Sequence, residues 1–287
     1  MKKPNKLIAD IRSVPEPAQA YVIMSRVQSL SQLFILESLS IDKIYSSDVA
    51  LEEHERLNRI SLKSQDSLQQ CLISCNIRSL KKHFSDLASS SYIENADIIC
   101  LQETWLEKKQ KDNQTEELKE KNRFRIHGYD AFFNNAGRGK GTSVYLKRGH
   151  ECAHMIAHET YQIMVVNYSM LDIINVYRSS ASNSISFLKD LMDVFNSNKN
   201  TLIVGDLNVC CVTEKHHPIL CKLFEVGFVQ GVQYPSHIEG RTIDYVLSYF
   251  PNKQKIVKVH QFGQYFTDHD LLMADISSFT DTPEEVS

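Results

Sequence analysis

The chain contains Leu202-Ile203-Val204-Gly205-Asp206-Leu207-Asn208, an apolar run that ends in a glycine, a carboxylate and an amide. The run is short and rich in branched residues, so it predicts a buried β-strand, and the polar residues after it predict a turn. Five further motifs place a carboxylate, amide, phenol or imidazole at the end of a similar apolar run. They are Ser74-Cys75-Asn76-Ile77-Arg78-Ser79, Leu101-Gln102-Glu103-Thr104, Asn175-Val176-Tyr177, Arg241-Thr242-Ile243-Asp244-Tyr245 and Thr267-Asp268-His269. Because strand ends deliver side chains to a shared cleft on a rigid scaffold, the six motifs predict one active site.

The side chains of these motifs favour one kind of chemistry. Hard oxygen donors with one histidine and no paired thiolates are typical of a magnesium-dependent site that cleaves phosphoesters. Each motif alone also has an ordinary structural interpretation. Asp206 can form an Asx turn, Asn76 can cap a helix, and Tyr177 can be a core aromatic residue. Glu103 can be a surface carboxylate, and the pair Asp268-His269 can simply face solvent.

Apolar periodicity along the chain predicts alternating strands and helices. The predicted strands are Cys71–Cys75, Ile98–Gln102, Ser143–Leu146, Ile163–Tyr168, Leu171–Tyr177, Leu202–Gly205, Thr242–Leu247, Ile256–Val259 and Leu272–Ile276. Three helices are predicted. The first is Leu80–Ile93, the second begins at an N-cap of Asn183 or Ser184 and runs to Phe195, and the third is Ile219–Val226. Many short strands, some in hairpins and some separated by helices, predict an α/β fold with two mixed β-sheets packed face to face and helices outside.

Composition excludes several classes of protein. Hydrophobic residues are 42% and charged residues 23% of the chain, and the net charge is −3, as in ordinary globular proteins. Lys and Arg outnumber Asp and Glu between Lys108 and Arg148, a segment that either faces a phosphate backbone or is a solvated loop. The seven cysteines have no disulfide spacing, and no apolar run has the length of a membrane span. These features predict a nuclear or cytoplasmic protein without a membrane partner.

The six motifs, in this order, resemble those of the endonuclease/exonuclease/phosphatase family, whose members share a four-layer α/β sandwich. The resemblance extends over residues 69–276, and four elements are most similar to the retroelement branch: Asn76-Ile77-Arg78-Ser79-Leu80, Leu101-Gln102-Glu103-Thr104-Trp105, Gly205-Asp206-Leu207-Asn208 and Asp268-His269. Two departures weaken an abasic-site repair function. Arg78 stands where repair enzymes usually have an acid, and Arg178-Ser179-Ser180 follow Tyr177 where repair enzymes have a phosphate-binding asparagine a few residues on.

The resemblance implies a metal site and a base. Mg²⁺, or Mn²⁺ in its place, would be bound by Glu103, with Asn76 beside it as a ligand or an orienting amide. Asp268 would be a second carboxylate on the metal side. Asp206 would orient or deprotonate the attacking water.

The resemblance also implies groups that act on the phosphate. His269 would donate a hydrogen bond to the phosphoryl oxygens, and Asp244 would hold its tautomer. Tyr177 would be a donor towards the scissile phosphate. Asn208 would hold a phosphate oxygen, and Arg178 would contribute to substrate binding.

The first sixty residues contain a second segment of interest, Ala18–Leu30, followed by the apolar Leu33–Leu36 and later by Ala50–Leu57. It resembles the last motif and the C-terminal end of superfamily 1 DNA helicases, in which an arginine at the position of Arg26 reaches the γ-phosphate of ATP. An amphipathic strand–helix unit is the alternative. The chain has no Walker A motif, so we expect no ATP binding by this chain alone. A helicase followed by this type of nuclease is the layout of Helitron-type transposon proteins, which implies a truncated or fragmentary transposon protein.

Together these observations predict four parts: a helicase remnant at 1–60, a linker at 61–68, a nuclease domain at 69–276 and a disordered tail at 277–287. The predicted function is that of a Mg²⁺-dependent phosphodiesterase that nicks DNA, with DNA as its partner. One alternative is a phosphatase for a small phosphoester such as an inositol phosphate or a lipid headgroup. Another is a nucleic-acid-binding relic without catalysis. The sequence leaves the oligomeric state open.

Overall fold

The computed structural model describes residues 7–9, 33–35, 70–108, 114–147, 152–251 and 256–279. The chain divides into two compact units, Met1–Ser67 and Leu68–Ser287. In the first unit the described residues form two short parallel strands, β1 (Leu7–Ala9) and β2 (Leu33–Ile35). The rest of the predicted helicase-like segment, including Arg26, and the predicted linker lie outside the described residues.

The second unit is built on two six-stranded sheets. Its described strands are β3 (Cys71–Asn76), β4 (Ile98–Gln102), β5 (Tyr129–Asn134), β6 (Thr142–Lys147), β7 (Cys152–Ala157), β8 (Tyr161–Tyr168), β9 (Leu171–Arg178), β10 (Asn200–Asp206), β11 (Val229–Gln230), β12 (Asp244–Tyr249), β13 (Val259–Phe262) and β14 (Leu271–Asp275). The first sheet has the order β13-β14-β3-β4-β6-β5 and the second the order β11-β12-β10-β9-β8-β7. The pairs β3–β4 and β9–β10 are parallel and the other pairs antiparallel, so both sheets are mixed.

Four layers follow from the alternation of side chains along these strands. Leu72 and Ile98 of the first sheet pack with Leu202 and Val246 of the second in one buried core. The described helices are α1 (Leu80–Ala88), α2 (Ser91–Asn95), α3 (Gln114–Arg123), α4 (Ser184–Val194) and α5 (Pro218–Val226). Residues of α1 and α2 bury apolar side chains on the outer face of the first sheet, and α4 and α5 do so on the second. The predicted α/β sandwich is therefore confirmed.

One edge of the sandwich collects the polar strand ends. Strands β3, β4, β9 and β10 end there, while β12 and β14 begin there. In the ladders Asp206 lies opposite both Tyr177 and Asp244, and Leu272 lies opposite Ser74. The site motifs of both sheets therefore meet at this edge, which we call the site edge.

The predicted helix Leu80–Ile93 is wrong in one respect, because the structure divides it into α1 and α2. Ser89 follows α1 and donates its hydroxyl to the carbonyl of Asp86 at 3.1 Å, while Ser90 is extended at the start of α2. Serine side chains compete for backbone groups in this way and favour helix ends. The run of serines therefore ends the first helix.

The C-terminal boundary also differs from the prediction. Ser277–Phe279 form a 3₁₀ turn, and the Phe279 ring is buried and stacks on Phe250 at a centroid distance of 4.6 Å. The domain therefore includes Phe279, and residues 280–287 lie outside the described residues. The strand predicted at Ile256–Val259 lies instead at Val259–Phe262. Among the described helices, none is both long and apolar enough to cross a membrane.

Candidate active site

The sheet registers place four predicted residues on the inner faces at the site edge. Asn76 ends β3, Asp206 ends β10 and Asp244 begins β12, and each has the parity of the strand residues that pack between the sheets. Tyr177 of β9 lies beside Asp206. His269 lies just before β14 and reaches the same point.

Asn76 joins the two sheets. Its Nδ2 atom donates to Glu103 Oε1 at 3.1 Å and to Asp206 Oδ2 at 2.9 Å, while its Oδ1 atom accepts the backbone N–H of Arg78 at 3.2 Å. The side chain is fully buried. As placed, Asn76 is an orienting amide that sets the positions of both carboxylates.

Asp206 is a buried carboxylate, 1% exposed. Burial, and after it the charge of Asp244, raise the pKa of Asp206, whereas the nearby His269 and the donors of Asn208 and Asn76 lower it. The net shift is upward. A carboxylate with a raised pKa is a suitable proton acceptor near neutral pH.

His269 forms an acid–base pair with Asp244. Its Nδ1 atom lies 2.9 Å from Asp244 Oδ2 and 3.1 Å from Oδ1, and the histidine is 5% exposed. Burial lowers the pKa of His269, but Asp244, together with Asp206 and Asp268, outweighs burial and raises the pKa to about 9. A protonated imidazole held at Nδ1 presents the N–H of Nε2 as a donor.

Ser236 fixes the Asp244 carboxylate. The serine Oγ atom accepts the backbone N–H groups of Ile243 at 3.3 Å and of Asp244 at 3.1 Å. Its own proton is therefore directed to Asp244 Oδ2, which lies 2.7 Å away. This buried hydroxyl holds the carboxylate that in turn holds His269.

Glu103 is half-buried and has a left-handed backbone, with φ of 49°. Its Oε1 atom accepts from Asn76, and its Oε2 atom accepts Trp105 Nε1 at 3.0 Å. Burial, and then the charges of Glu103 and Asp206, raise the pKa of Tyr177, which also hydrogen-bonds to Glu103. Tyr177 is therefore a neutral phenol and a hydrogen-bond donor.

Asp268 lies on the His269 side of the site. It pairs with Arg78, and His237 Nε2 lies 3.3 Å from its Oδ2 atom. Burial raises the pKa of Asp268, but the charges of His269 and Arg78 reverse the shift and the net pKa is lowered. Its Oδ1 atom is buried and has no hydrogen-bond partner within the described segments.

The sequence profile of the endonuclease/exonuclease/phosphatase family matches residues 73–269. The chain belongs to this family. It is therefore an enzyme that hydrolyses phosphoester bonds, as the sequence predicted. Comparison with the curated proteins finds no match.

Several solved structures of the family share the fold. An AP endonuclease from Archaeoglobus fulgidus is 17% identical with a TM-score of 0.54, covering 72% of this chain and 98% of that chain. The endonuclease domain of TRAS1, a telomere-specific non-LTR retrotransposon, is 12% identical with a TM-score of 0.51, covering 71% and 96%. The 3′ phosphatase NExo from Neisseria, bound to a product DNA hairpin, is 15% identical with a TM-score of 0.51, covering 71% and 98%.

The donor set fits a hard divalent cation. Ligand atoms of Asp206, Asp244 and His269 lie within 4.8 Å of one another, and so do those of His237, Asp268 and His269. Both groups include His269, and because its pKa is raised, a metal ion that binds there would have to displace a proton from the imidazole. Carboxylates are the better ligands here, because Glu103 keeps unused lone pairs. Asp268 Oδ1 has no hydrogen-bond partner within the described segments, and His269 Nε2 lies 3.8 Å from it.

Arg178 does not point to the site edge. It follows Tyr177 on β9, so its side chain lies on the opposite face of the sheet. The buried guanidinium donates to the carbonyls of Leu207 at 3.1 Å and Ser182 at 2.8 Å. These bonds hold the loops after β9 and β10, and this geometry gives no support to the predicted role in substrate binding.

Asn208 also has a different set of contacts from the predicted one. Both hydrogens of its amide are in use, because Nδ2 donates to the Arg178 carbonyl at 2.8 Å and to Asp206 Oδ2 at 3.2 Å. Its backbone N–H donates to Asp206 Oδ1 at 2.8 Å. In this arrangement Asn208 orients the Asp206 carboxylate.

Three residues of the site edge were missed at the sequence level. Ser236 and His237 lie in the loop before β12, and Trp105 lies two residues after Glu103. The contacts of these residues are made with residues elsewhere in the chain or require an unusual backbone conformation. Neither hydrophobic periodicity nor motif spacing therefore indicates a role for these residues. For Trp105 the signal was its place at the end of the Leu101–Trp105 element, and for Ser236 and His237 it was a short polar pair upstream of the Arg241–Tyr245 motif.

Proposed function

We propose that this protein is a Mg²⁺-dependent phosphodiesterase that cleaves DNA and produces nicks. One observation carries the proposal: five side chains converge across the ends of both sheets. Hydrogen bonds join Glu103, Asn76 and Asp206, and the Asp244–His269 pair has ligand atoms within 4.8 Å of those of Asp206. This arrangement brings a metal-binding carboxylate, a base and a charged donor to one place. Those are the groups that hydrolysis of a phosphodiester requires.

Asp206 would accept the proton of the attacking water. As the water oxygen forms its bond to phosphorus, the bond between phosphorus and the leaving strand oxygen breaks. The leaving oxygen takes a proton from solvent and becomes a free hydroxyl, and Asp206 returns its proton to solvent, so one water is consumed for each nick. Asn76 and Asn208 would keep Asp206 aimed at the water during this step.

His269 would donate from Nε2 to the phosphoryl oxygens while negative charge builds on them. Asp244 holds the Nδ1 proton, and Ser236 holds Asp244. Tyr177, kept neutral by its raised pKa, would be a second donor. When bound, Mg²⁺ would polarise a phosphoryl oxygen and stabilise its charge, and Glu103 and Asp268 are the residues expected to hold it.

A basic surface beside the site favours DNA over a small phosphoester. A cavity of about 400 Å³ contains four cationic residues, Lys81, Lys108, Lys119 and Arg123, and only two acids, Glu107 and Glu120. Lys81 is adjacent in sequence to Lys82, which lines a second cavity next to Asp268. An extended positive surface suits a polyanionic strand, whereas a small phosphoester would contact the site alone.

Nicking of supercoiled plasmid by the full-length chain tests the function. We expect open circular plasmid with Mg²⁺ or Mn²⁺ and intact supercoiled plasmid with EDTA. The nicking rate of Asp206→Asn should be lower than that of the wild type by a factor of at least about 100. Asp172→Asn, which alters a carboxylate at the opposite end of β9, is the matched control and should keep full activity. If the folded protein leaves plasmid intact but hydrolyses inositol phosphates, the substrate is a small phosphoester and not DNA. If the folded protein binds DNA and cleaves neither substrate, the result favours the alternative of a nucleic-acid-binding relic without catalysis.

We also propose an origin in a transposable element. The support is the helicase-like Ala18–Leu30 segment ahead of the nuclease domain, together with a fold like that of the TRAS1 endonuclease domain. Sequencing the genomic locus tests this origin. Helicase-coding sequence upstream of the segment is expected, and its absence together with absence of transposon termini would contradict the proposal.

A further inference from the structure

An open cavity of about 360 Å³ adjoins the proposed catalytic groups. Its wall includes Arg78, Trp105, Ile238, Tyr265 and Phe266, and Asp268 of the catalytic site is part of the same wall. The cavity is therefore continuous with the place where the phosphate would lie. No step of the hydrolysis uses its apolar side chains.

Two of the wall residues are large, apolar and open to solvent. Ile238 is 82% exposed and Tyr265 is 85% exposed. Both are nevertheless held in position: the backbone N–H of Ile238 donates to the Asp268 carbonyl at 2.9 Å, and the Tyr265 hydroxyl donates to Asp86 at 2.8 Å. Tyr265 also packs edge-on against Phe266. An ordered apolar patch beside a polar site is typical of a binding surface.

Trp105 lies at the boundary between this cavity and the catalytic groups. Its φ of 55° is in the left-handed region, which a bulky residue rarely adopts. This conformation brings its Nε1 atom to Glu103, and Arg78 and Glu103 nearby also have positive φ. Backbone strain of this kind persists where it serves a site.

The charges around the cavity suit a nucleotide. Arg78 and Lys82 lie in its wall, and the Arg138 guanidinium lies 5.8 Å from the centre of the Trp105 ring. Aromatic rings next to cations are the features with which proteins bind single strands, because bases stack on the rings while the cations meet phosphates.

We propose that this cavity binds an unpaired nucleobase adjacent to the scissile phosphate, so that the enzyme prefers strands with an unpaired nucleotide there to continuous duplex. This inference rests on the proposed DNA-cleaving function and specifies its substrate. In a continuous duplex both faces of every base are stacked on neighbouring bases, and only an unpaired or displaced base can offer a face to Tyr265 or Trp105.

Binding is tested first, without cleavage. Trp105 is the one tryptophan of the chain, so its fluorescence reports on the cavity directly. The full-length protein in EDTA is titrated with a short thymidine oligonucleotide and with a duplex of equal length. Quenching at lower concentration by the single strand is expected, with affinity reduced about 5- to 100-fold in Tyr265→Ala, the range for loss of one stacked base. Tyr265→Phe keeps the ring and loses only the hydrogen bond to Asp86, so it should bind more tightly than Tyr265→Ala. Met170→Ala, whose side chain is 66% exposed in the β8–β9 turn, should bind as the wild type does.

Cleavage is tested second, with Mg²⁺ and two duplexes that differ only in one unpaired nucleotide beside a fixed phosphate. Faster cleavage of the unpaired substrate, with the advantage lost in Tyr265→Ala and kept in Tyr265→Phe, supports the inference. Equal cleavage of both substrates, or an equal loss on both in Tyr265→Ala, overturns it while leaving the proposed function intact. Selective quenching without any cleavage would instead overturn the proposed function and keep the base-binding cavity.

Discussion

Asp244 controls the titration of His269, and this gives the first prediction. Asp244 is the strongest of the charges that raise the pKa of His269 to about 9. His269 must be protonated to donate, so kcat/KM should fall as pH rises through about 9. Asp206 must be ionised to accept a proton, so activity should rise with pH through its raised pKa. Asp244→Asn removes the main charge and should move the alkaline limb down by about 1–3 pH units.

The measurement is a profile of kcat/KM against pH at saturating Mg²⁺. Asp172→Asn is again the control, because Asp172 pairs with Lys199 far from the site edge. Its profile should match that of the wild type. An alkaline limb that stays in place in Asp244→Asn would show that another group sets it.

The contacts of Arg178 predict that this residue stabilises the fold and does not bind substrate. Arg178→Met keeps the aliphatic stem but leaves the buried carbonyls of Leu207 and Ser182 without donors, which should cost about 2–3 kcal/mol of unfolding free energy. KM for an oligonucleotide should not change. Arg78→Met is the contrasting variant, since its half-exposed ion pair with Asp268 contributes about 0–1 kcal/mol while its place in the cavity should raise KM. Urea unfolding followed by Trp105 fluorescence gives the stability, and a raised KM in Arg178→Met would restore the substrate-binding role.

At the scale of elements, the sequence predicted the central strands well, because a strand that is buried on both faces forms a continuous apolar run in the sequence. Ile98–Gln102 was predicted with its observed bounds, as a run of buried residues in the middle of a sheet. The edge strands Tyr129–Asn134 and Cys152–Ala157 were missed, since their side chains are mostly half-buried or exposed and pairing with a neighbour defines them. Helix Gln114–Arg123 was missed because it has little apolar periodicity.

Helix α4 offers a prediction at this scale. Asn183 caps it as the sequence suggested, with its side-chain oxygen accepting the backbone N–H groups of Ile185 and Ser186 at 2.9 and 3.0 Å. Asn183→Ala should lower the free energy of unfolding by about 1 kcal/mol, and Asn183→Asp, which keeps the acceptor, should be neutral. Urea unfolding at pH 7 measures both variants. Equal losses in the two would indicate that the cap is not the cause.

For the whole molecule, the sequence predicted which motifs meet but not how their side chains point. The meeting follows from strand ends, which local patterns reveal, and it brings Asn76, Asp206 and His269 together. The direction of a side chain depends on its odd or even position along the strand and on contacts with residues distant in sequence. Arg178 is next to Tyr177 on the same strand, so its side chain lies on the outer face of the sheet. Ser236 lies in a loop, and only the folded chain brings it to Asp244. Contacts of this kind have no signature in a single sequence.

The buried thiols of the sandwich give the last prediction, an alkaline loss of stability. Burial is the main cause that raises the pKa of Cys71 from its ordinary 9.0 to about 11, and it raises the pKa of Cys75 and Cys100 further. A raised pKa on folding means that the stabilisation is complete below pH 9 and is lost as pH rises towards the folded value. Each such thiol should lower the free energy of unfolding by up to about 1.4 kcal/mol per pH unit in that window.

Urea unfolding of the full-length protein at several pH values from 7 to 11, followed by Trp105 fluorescence, measures this slope. Cys100 lies between the sheets, so Cys100→Val keeps an apolar side chain of similar shape there. Near pH 7 the variant should differ from the wild type by less than about 1.5 kcal/mol. Above pH 9 its free energy of unfolding should fall less steeply, because one proton fewer is released on unfolding. Parallel curves for the two proteins would mean that Cys100 ionises equally in both states, and the alkaline loss would then belong to the buried phenols of residues such as Tyr145 and Tyr245, whose pKa values burial also raises.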